Sequence, residues 1–290
     1  MDIYFDSADS RTDAVAKSFQ CHGAVVVRNL IDTSVLQNYC SAILTLITSR
    51  LNSLGRGASP FANIDDAYNY LCEIDPGLGQ ELLYPIRDLP NFYTLINQPS
   101  ALDLAARLIG DTLFQIVHDI CLFRIDPAVP DHPRLFDWHM DYPYNVLSQS
   151  ALTFWIPLTD VEDDMGPLKV VLGSHKTIHA IDFVKKYAQP GKGTGHKVFS
   201  LSNIDKAALE KASVSLHNIR AGDVAILHSC LLHASGKNHS AKKKSRWVFN
   251  IRVGDILDQP VVSRGWKVVR DRDPYVFTAL HSDRTTVVCD

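Results

Sequence analysis

Two histidines and one aspartate have the residue types and spacing of a metal site. The segment 138–141, WHMD, places His139 and Asp141 two positions apart. Residues i and i+2 of an extended strand point to the same side, so this imidazole and carboxylate can bind one ion without backbone strain. A third ligand must come from elsewhere, and His233 follows in the segment HSCLLHASGKN. Two histidines and one carboxylate on one face of a metal leave its other positions open, as in non-haem iron(II) oxygenases.

His228 competes with His233 for the third ligand position. His228 ends the apolar run 224–228, whereas His233 follows a turn and shares its side with Ser235. We therefore predict that His233 is the ligand, with His228 as the alternative. In a chain with 12 histidines, one H-x-D pair is expected by chance. The pair alone leaves a zinc-dependent hydrolase and a non-catalytic metal-binding protein as alternatives.

The N-terminal third of the chain predicts helices with one early strand. The run 23–30, GAVVVRNL, is β-branched and predicts a strand. Asp32 is placed to cap a helix over residues 34–51, which carries apolar residues at helical spacing. A second amphipathic helix is expected around residues 101–109. Residues 55–90 are rich in Gly, Pro, Asp and Asn; we expect a long irregular segment there that forms a lid or binding loop.

Beyond residue 113 the pattern changes to short apolar runs separated by turn residues. These runs lie at 114–125, 150–158, 168–172, 214–219, 224–228 and 247–253. This spacing favours a β-sandwich or jelly roll over alternating strands and helices. We predict one domain over residues 1–290, mainly β with a helical layer. Residues 1–112 form a helical cover and lid, 113–255 a jelly-roll core and 256–290 a C-terminal extension.

Composition and charge argue against several classes of partner. The formal net charge is −3, which gives no electrostatic reason to expect nucleic acid or an anionic membrane. The six cysteines form no C-x-x-C pair, which is typical of reduced thiols in the cytosol. No apolar run approaches the roughly 18 residues of a membrane span, and the N-terminus has no features of a signal peptide. We expect a cytoplasmic protein with a small-molecule partner.

Three motifs in order resemble the phytanoyl-CoA dioxygenase family. They are WHMD at 138–141, the strand and turn TFWIPLTDVEDDMGPLKVVLGSHK at 153–176, and GDVAILHSCLLHASGKN at 222–238. The resemblance spans residues 23–253, with its strong motifs from 138 to 252. It implies a double-stranded β-helix fold, covered here by the N-terminal helices. It also implies oxidation of a small molecule with iron(II), 2-oxoglutarate and dioxygen, releasing succinate and carbon dioxide. Ascorbate is the expected activator.

The resemblance also assigns residues. His139, Asp141 and His233 match the family's iron ligands. The family's arginine that anchors 2-oxoglutarate lies shortly after the distal histidine; its usual spacing falls on Lys244, and we place Arg246 in this role by assuming a longer hairpin. Lys244 and Arg252 remain alternatives.

Independent chemistry supports Arg246. A guanidinium binds a carboxylate through two parallel hydrogen bonds, which an ammonium cannot match in geometry. Strand alternation places Arg246, Val248, Asn250 and Arg252 on one face of the run. We expect this face to point into the barrel, and the opposite face, with Trp247 and Phe249, to pack against the helical layer.

Further contacts are predicted around the cosubstrate and the substrate. Trp155 matches a tryptophan that lines the family's cosubstrate pocket, and Thr153 shares its strand face. Ser235 is placed to donate a hydrogen bond to the distal carboxylate of 2-oxoglutarate. The expected substrate walls are the segments 55–90 and 182–195, together with Tyr142, Tyr144 and Asn145.

Asp141 bears on the type of reaction. The resemblance implies that halogenating relatives have a small residue at this position, which opens a coordination site for chloride. The carboxylate of Asp141 fills that site, so hydroxylation or another C–H oxidation is expected.

Overall fold

The structure is a computed structural model that describes residues 2–57, 60–110, 113–129, 135–188, 197–266 and 275–288. The helices are α1 (Asp13–His22), α2 (Thr33–Ser53), α3 (Ile64–Ile74), α4 (Pro76–Glu81), α5 (Leu83–Arg87), α6 (Pro90–Ile96), α7 (Pro99–Ile109), α8 (Lys206–Ala212), α9 (Gln259–Val262) and α10 (Tyr275–Leu280). Across these described ranges, none of the helices is long and apolar enough to cross a membrane.

The strands alternate with these helices at first and then dominate the chain. They are β1 (Tyr4–Asp6), β2 (Ala24–Arg28), β3 (Phe114–Ile116), β4 (Leu122–Asp126), β5 (Leu152–Pro157), β6 (Lys169–Val170), β7 (Ile181–Val184), β8 (Phe199–Leu201), β9 (Val214–Ser215), β10 (Val224–His228), β11 (His233–Ala234), β12 (Arg246–Asp255) and β13 (Thr285–Val288).

The predicted N-terminal strand and helices are confirmed. Strand β2 covers most of the β-branched run. Helix α2 begins after Asp32, whose carboxylate accepts a hydrogen bond from the backbone N–H of Ser34 at 2.8 Å. Its side chains at Leu36, Tyr39 and Ile43 are buried. Helix α7 corresponds to the second predicted helix.

The prediction of an irregular segment at residues 55–90 is wrong. Helices α3, α4 and α5 occupy most of this segment. Asn63 and Asp75 are N-caps whose side chains accept backbone N–H bonds at the starts of α3 and α4. The rings of Tyr68 and Trp247 meet edge to face, 5.2 Å apart. The segment therefore packs into the core behind β12.

Helix α3 also fixes the beginning of β12. The carboxylate of Asp65 accepts hydrogen bonds from the indole N–H of Trp247 at 2.7 Å and from the backbone N–H of Ser245 at 2.9 Å. Because Ser245 directly precedes Arg246, these bonds hold the first residue of β12 in place.

A seven-stranded sheet forms the centre of the molecule. Its order is β1-β2-β10-β5-β12-β3, with β4 also paired to β12. All pairings are antiparallel except that of β1 with β2. Strand β12 pairs first with β4 and then with β3 along one edge, and with β5 along the other. Two three-stranded sheets, β11-β6-β9 and β13-β7-β8, complete the described strands.

The large sheet has two differently packed faces. One face carries Trp247, Phe249 and Ile251, which join the N-terminal helices in one large buried cluster. The other face carries Trp155 and Val248, which pack against side chains of and around the β11-β6-β9 sheet. The predicted division of β12 into a helix-facing and an inward-facing set is therefore confirmed.

Candidate metal centre and active site

The structure brings the three predicted ligands together. His139 and His233 form an isolated antiparallel bridge, in which each backbone N–H donates to the other residue's carbonyl at 3.0 and 2.9 Å. Their ring centroids lie 4.2 Å apart. Ligand atoms of these histidines and of Asp141 all lie within 4.8 Å of one another. Within the described residues, these three form the one such cluster of potential metal ligands.

Hydrogen bonds fix which imidazole nitrogens face this cluster. The Nδ1 atom of His139 lies 2.7 Å from the carbonyl of Asp137, and that of His233 lies 2.9 Å from the carbonyl of Leu231. A carbonyl only accepts, so each Nδ1 carries the proton and each Nε2 keeps a free lone pair. The Nε2 of His139 lies 3.8 Å from Oδ1 of Asp141. Metal-binding histidines are oriented in this way by their second nitrogen.

The carboxylate of Asp141 is held on both oxygens. The Thr153 hydroxyl donates to Oδ2 at 2.7 Å, and Nη2 of Arg252 donates to Oδ1 at 3.1 Å. Arg252 also donates through Nη1 to the Thr153 hydroxyl at 3.1 Å. Thr153 on β5 and Arg252 on β12 are direct cross-strand partners, so the sheet register itself places both donors.

The ionisation states of His139 and Asp141 suit metal binding. Burial, reinforced by the neighbouring His233, holds the pKa of His139 well below its usual value. Burial opposes ionisation of Asp141, but Arg252 and the two histidines lower its pKa overall. Neutral imidazoles and an ionised carboxylate are the forms that bind cations. The donor set of two nitrogens and one oxygen, with both Nε2 lone pairs free, fits iron(II).

His228, the alternative ligand, lies outside this cluster. Its ring packs against His175 at 5.0 Å and Phe19 at 6.2 Å. Its Nδ1 accepts the backbone N–H of Cys230 at 3.1 Å. Burial, with a smaller contribution from His175, lowers the pKa of His228 from 6.5 to about 4. The residue therefore stabilises the fold as a neutral imidazole.

This difference predicts a pH-dependent contribution to stability. The folded pKa of His228 is depressed, so the unfolded chain binds more protons between pH 6.5 and about 4. The contribution is fully present above pH 6.5 and decreases as the pH falls towards 4, by on the order of 3 kcal/mol. His228→Asn keeps an acceptor for the Cys230 N–H and does not titrate. Denaturant unfolding across this range should show a smaller acid loss in the variant; equal losses would contradict this assignment.

Arg246 lies buried at the start of β12 and is bound by two groups. Its Nε and Nη2 donate to Oδ2 of Asp126 at 3.2 and 2.8 Å, and its Nη1 donates to the carbonyl of Gly166. Arg124 also pairs with Asp126, at 2.7 Å. Burial alone would raise the pKa of Asp126, but Arg124 and Arg246 lower it to about 2. The carboxylate of Asp126 thus forms ion pairs with two guanidinium groups, those of Arg124 and Arg246.

A close crossing of two loops brings the Gly166 carbonyl to this position. Gly166 has φ 72°, and a Cβ there would lie 2.5 Å from the backbone of Gly236. A Cβ on Gly236 would in turn lie 2.5 Å from the carbonyl of Pro167. The loop after His233 and the loop before β6 can therefore touch only because both positions are glycine.

The two other candidate anchors lie in different surroundings. Lys244 pairs with Glu162 at 2.5 Å, and both side chains are more than a third exposed. Arg252 is buried against Asp141, and its Nε has no hydrogen-bond partner among the described residues.

Trp155, predicted to line the cosubstrate pocket, packs between the two sheets, in register with Asn250. The backbone N–H of Ser235 donates to the carbonyl of Phe136 at 2.9 Å.

A cavity of about 430 Å³ opens beside His139. Tyr144 lines it and meets the His139 ring edge to face at 6.1 Å. Tyr142 does not line the cavity; it is buried in the cluster against which Tyr144 packs, with its hydroxyl 3.2 Å from His281. The Asn145 backbone N–H donates to the Asp141 carbonyl at 3.2 Å. Within the predicted wall at 182–195, residues 189–195 lie outside those that the structure describes.

Several site residues were missed by the sequence analysis. Phe136 stacks on His139 at 4.9 Å, and the guanidinium of Arg124 lies 4.5 Å above the Phe136 ring. The available signal was the alternation in LFRID, which places Arg124 and Asp126 on one face of an otherwise apolar strand. Charged side chains are rarely buried unless they are paired, and such buried pairs are frequent at functional sites. Arg124 and Asp126 were therefore candidates for a functional site.

Comparison with known proteins agrees with this geometry. The profile of the phytanoyl-CoA dioxygenase family, PhyH, matches residues 19–246. The chain belongs to this family. It is a non-haem iron(II)- and 2-oxoglutarate-dependent dioxygenase by that membership, with these two groups as its cofactor and cosubstrate.

Two relatives are hydroxylases from Streptomyces. The L-proline trans-4-hydroxylase of Streptomyces griseoviridis is 25% identical over 199 residues, which is 63% of this chain and 70% of the relative. The 1-deoxypentalenic acid 11-beta-hydroxylase of Streptomyces exfoliatus is 24% identical over 234 residues, or 79% of this chain and 76% of the relative.

Solved structures share the fold. The non-heme monooxygenase ThoJ in its apo form has a TM-score of 0.56 and 17% identity, covering 92% of this chain and 99% of ThoJ. The epimerase SnoN in complex with Fe3+, alpha ketoglutarate and nogalamycin RO has a TM-score of 0.53 and 18% identity, covering 84% of this chain and 83% of SnoN.

Proposed function

We propose that this enzyme hydroxylates, or otherwise oxidises, a C–H bond of a small-molecule metabolite and converts 2-oxoglutarate to succinate and carbon dioxide. The observation that carries the proposal is the convergence of two free Nε2 lone pairs and one oriented carboxylate beside a cavity. The names of both hydroxylase relatives describe oxidation of small molecules.

His139, Asp141 and His233 are the proposed iron ligands. Iron(II), when bound with 2-oxoglutarate and dioxygen, supplies the oxidation of the C–H bond. The chain's own contribution is orientation: carbonyls hold the imidazole rings, and Thr153 with Arg252 holds the carboxylate. Because both oxygens of Asp141 have donors, rotation of this ligand would break hydrogen bonds in a buried site.

Arg246 is the proposed anchor of 2-oxoglutarate. It is buried at the start of β12, on the inward face, and its planar fork suits a carboxylate. Ser235 is proposed as a second donor, with Trp155 and Thr153 as pocket walls. Lys244 is less suitable because it is partly exposed and paired with Glu162. Both arginines already bind a carboxylate, but the partner of Arg252 is the proposed iron ligand Asp141, whereas the partner of Arg246 is Asp126, which is not a proposed ligand. We therefore assign Arg252 to orienting Asp141.

We also propose that the two facing sheets form the double-stranded β-helix of jelly-roll enzymes. Support comes from the cluster that joins them, in which Trp155 and Val248 of the large sheet meet Val170 of β6. The neighbours with TM-scores above 0.5 include enzymes described as alpha ketoglutarate dependent.

Asp141 predicts that the reaction is not a halogenation. As a ligand, this carboxylate would fill the position that chloride would need on the iron. In chloride buffer under dioxygen labelled with oxygen-18, mass spectrometry should find a product that is oxygen-labelled, desaturated or cyclised. Asp141→Gly should lose this oxidation and gain at most trace chlorination.

The decisive assay measures succinate from protein supplied with iron(II), ascorbate and 2-oxoglutarate. A screen of small molecules that stimulate succinate release identifies the substrate class. Stimulation by any of them, lost without iron, supports the proposal. A chlorinated wild-type product, or hydrolysis with zinc and without 2-oxoglutarate, would contradict it.

A further inference from the structure

Aromatic rings form part of the wall of the cavity beside His139. Phe136 stacks on the His139 ring, and Tyr144 meets the ring of Phe199 edge to face at 5.2 Å. The Tyr144 hydroxyl donates to the Phe199 carbonyl at 2.8 Å, so its polar tip is held at β8. These contacts create a chamber whose faces suit an apolar body of ring size.

The charged side chains around this chamber leave an excess of positive charge. Asp137, on the chain just before His139, forms an ion pair with Lys206 at the start of α8. The two charges of this pair neutralise each other, and the ion pair holds the loop that carries His139 against α8. Lys197 also lines the cavity, and among the described residues it has no carboxylate partner. The ammonium of Lys197 lies 5.9 Å from the ring centroid of Tyr187.

A second lysine strengthens the positive charge at this wall. The ammonium of Lys186 lies 5.5 Å from the same Tyr187 ring centroid. Two ammonium groups therefore share one aromatic ring, and within the described residues no carboxylate lies within ion-pair distance of either. Like charges held near one ring repel each other, and an anion bound between them and the cavity would relieve this repulsion.

We infer that the substrate is an apolar, ring-sized molecule bearing an anionic group, and that Lys197 binds this group while the ring lies against Phe136, Tyr144 and Phe199. The anion would lie at the Tyr187 side of the cavity and the oxidised carbon at the His139 side. The inference rests on the proposed function, because it assigns this cavity to the substrate.

The test compares two probes of similar shape, 1-naphthoate and the neutral 1-naphthalenemethanol. Equilibrium dialysis uses the full chain loaded with iron(II) and saturating 2-oxoglutarate, without oxygen and at low ionic strength. Lys197 is an exposed residue at the cavity wall. Naphthoate should therefore bind about two- to fivefold more tightly than the alcohol, which is the range for a solvent-exposed ion pair at low ionic strength. Lys197→Gln should remove this preference and leave alcohol binding within about twofold, while Lys197→Arg should keep it.

Two further variants locate the effect. Lys17→Gln, on the exposed face of α1, changes the net charge equally and should leave the preference intact. Ser200→Trp, at an exposed cavity position, should weaken both probes. The inference would be overturned by absent naphthoate binding, by equal binding of both probes to the wild type, by a preference that survives Lys197→Gln, or by Ser200→Trp leaving the affinity of both probes unchanged. Failure of the proposed function would appear separately, as absence of succinate release.

Discussion

Replacing His233 with alanine is expected to weaken iron(II) binding by more than about 100-fold and to abolish 2-oxoglutarate turnover. Loss of an outer partner of a metal ligand typically costs roughly 10- to 100-fold in affinity, so loss of the ligand itself should cost more. The fold should persist, because the bridge between positions 139 and 233 is formed by backbone atoms. Metal titration of the apo protein and circular dichroism measure the two outcomes.

His228→Asn is the matched control for this variant. It removes a second imidazole from the same stretch of chain but keeps the acceptor for the Cys230 N–H. Iron affinity and turnover should remain within about twofold of wild type. Full activity in a folded His233→Ala protein, together with loss in His228→Asn, would transfer the ligand role to His228.

Arg246→Ala should sharply raise the concentration of 2-oxoglutarate required for turnover. Truncating one partner of a buried charge pair costs on the order of 2–5 kcal/mol, or roughly 30- to several thousand-fold in affinity. Arg246→Lys should restore only part of the affinity, because an ammonium lacks the planar fork. The measurement is the KM for 2-oxoglutarate at saturating iron, with binding of 2-oxoglutarate followed separately by calorimetry.

The control for Arg246 separates cosubstrate binding from stability. Arg246→Ala also removes a partner of buried Asp126, so its Tm should be measured alongside. Lys244→Ala removes a nearby charge that pairs with Glu162, and it should leave the KM unchanged. A larger rise in KM for Lys244→Ala than for Arg246→Ala would show that the assumed hairpin length is wrong.

Local patterns in the sequence predicted those parts of the site that depend on neighbouring residues. The H-x-D spacing identified His139 and Asp141, and alternation along β12 separated Arg246 from Trp247. Helix α2 followed from its cap and its apolar stripe. In each case the residues concerned are close together in the sequence, so their spacing carries the geometry.

Other features depend on pairing between distant segments. Asp126 meets Arg246 only because β4 pairs with the beginning of β12, and Thr153 meets Arg252 only through the register of β5. Alternation also fails after Asp141, where the chain turns and the Tyr144 N–H donates to the Asp141 carbonyl at 3.1 Å. Tyr142 is therefore buried in the cluster behind Tyr144 and does not line the cavity.

The error at residues 55–90 has a local cause. Asparagine, aspartate and proline favour loops, but the same residues also begin helices as N-caps and first-turn residues. Asn63 precedes Ile64, and Asp75 precedes Pro76, in these roles. The apolar positions Ile64, Ala67 and Leu71 at helical spacing were the signal that should have outweighed composition.

The central claim is that His139, Asp141 and His233 hold iron(II) at which 2-oxoglutarate is oxidised by dioxygen. In the most direct test, the iron-loaded enzyme is incubated with 2-oxoglutarate under dioxygen labelled with oxygen-18. The mass of the succinate is then measured by mass spectrometry. Wild-type protein and His228→Asn should release succinate carrying one labelled oxygen, and His233→Ala should release none. Unlabelled succinate, or equal labelled succinate from His233→Ala, would contradict the account.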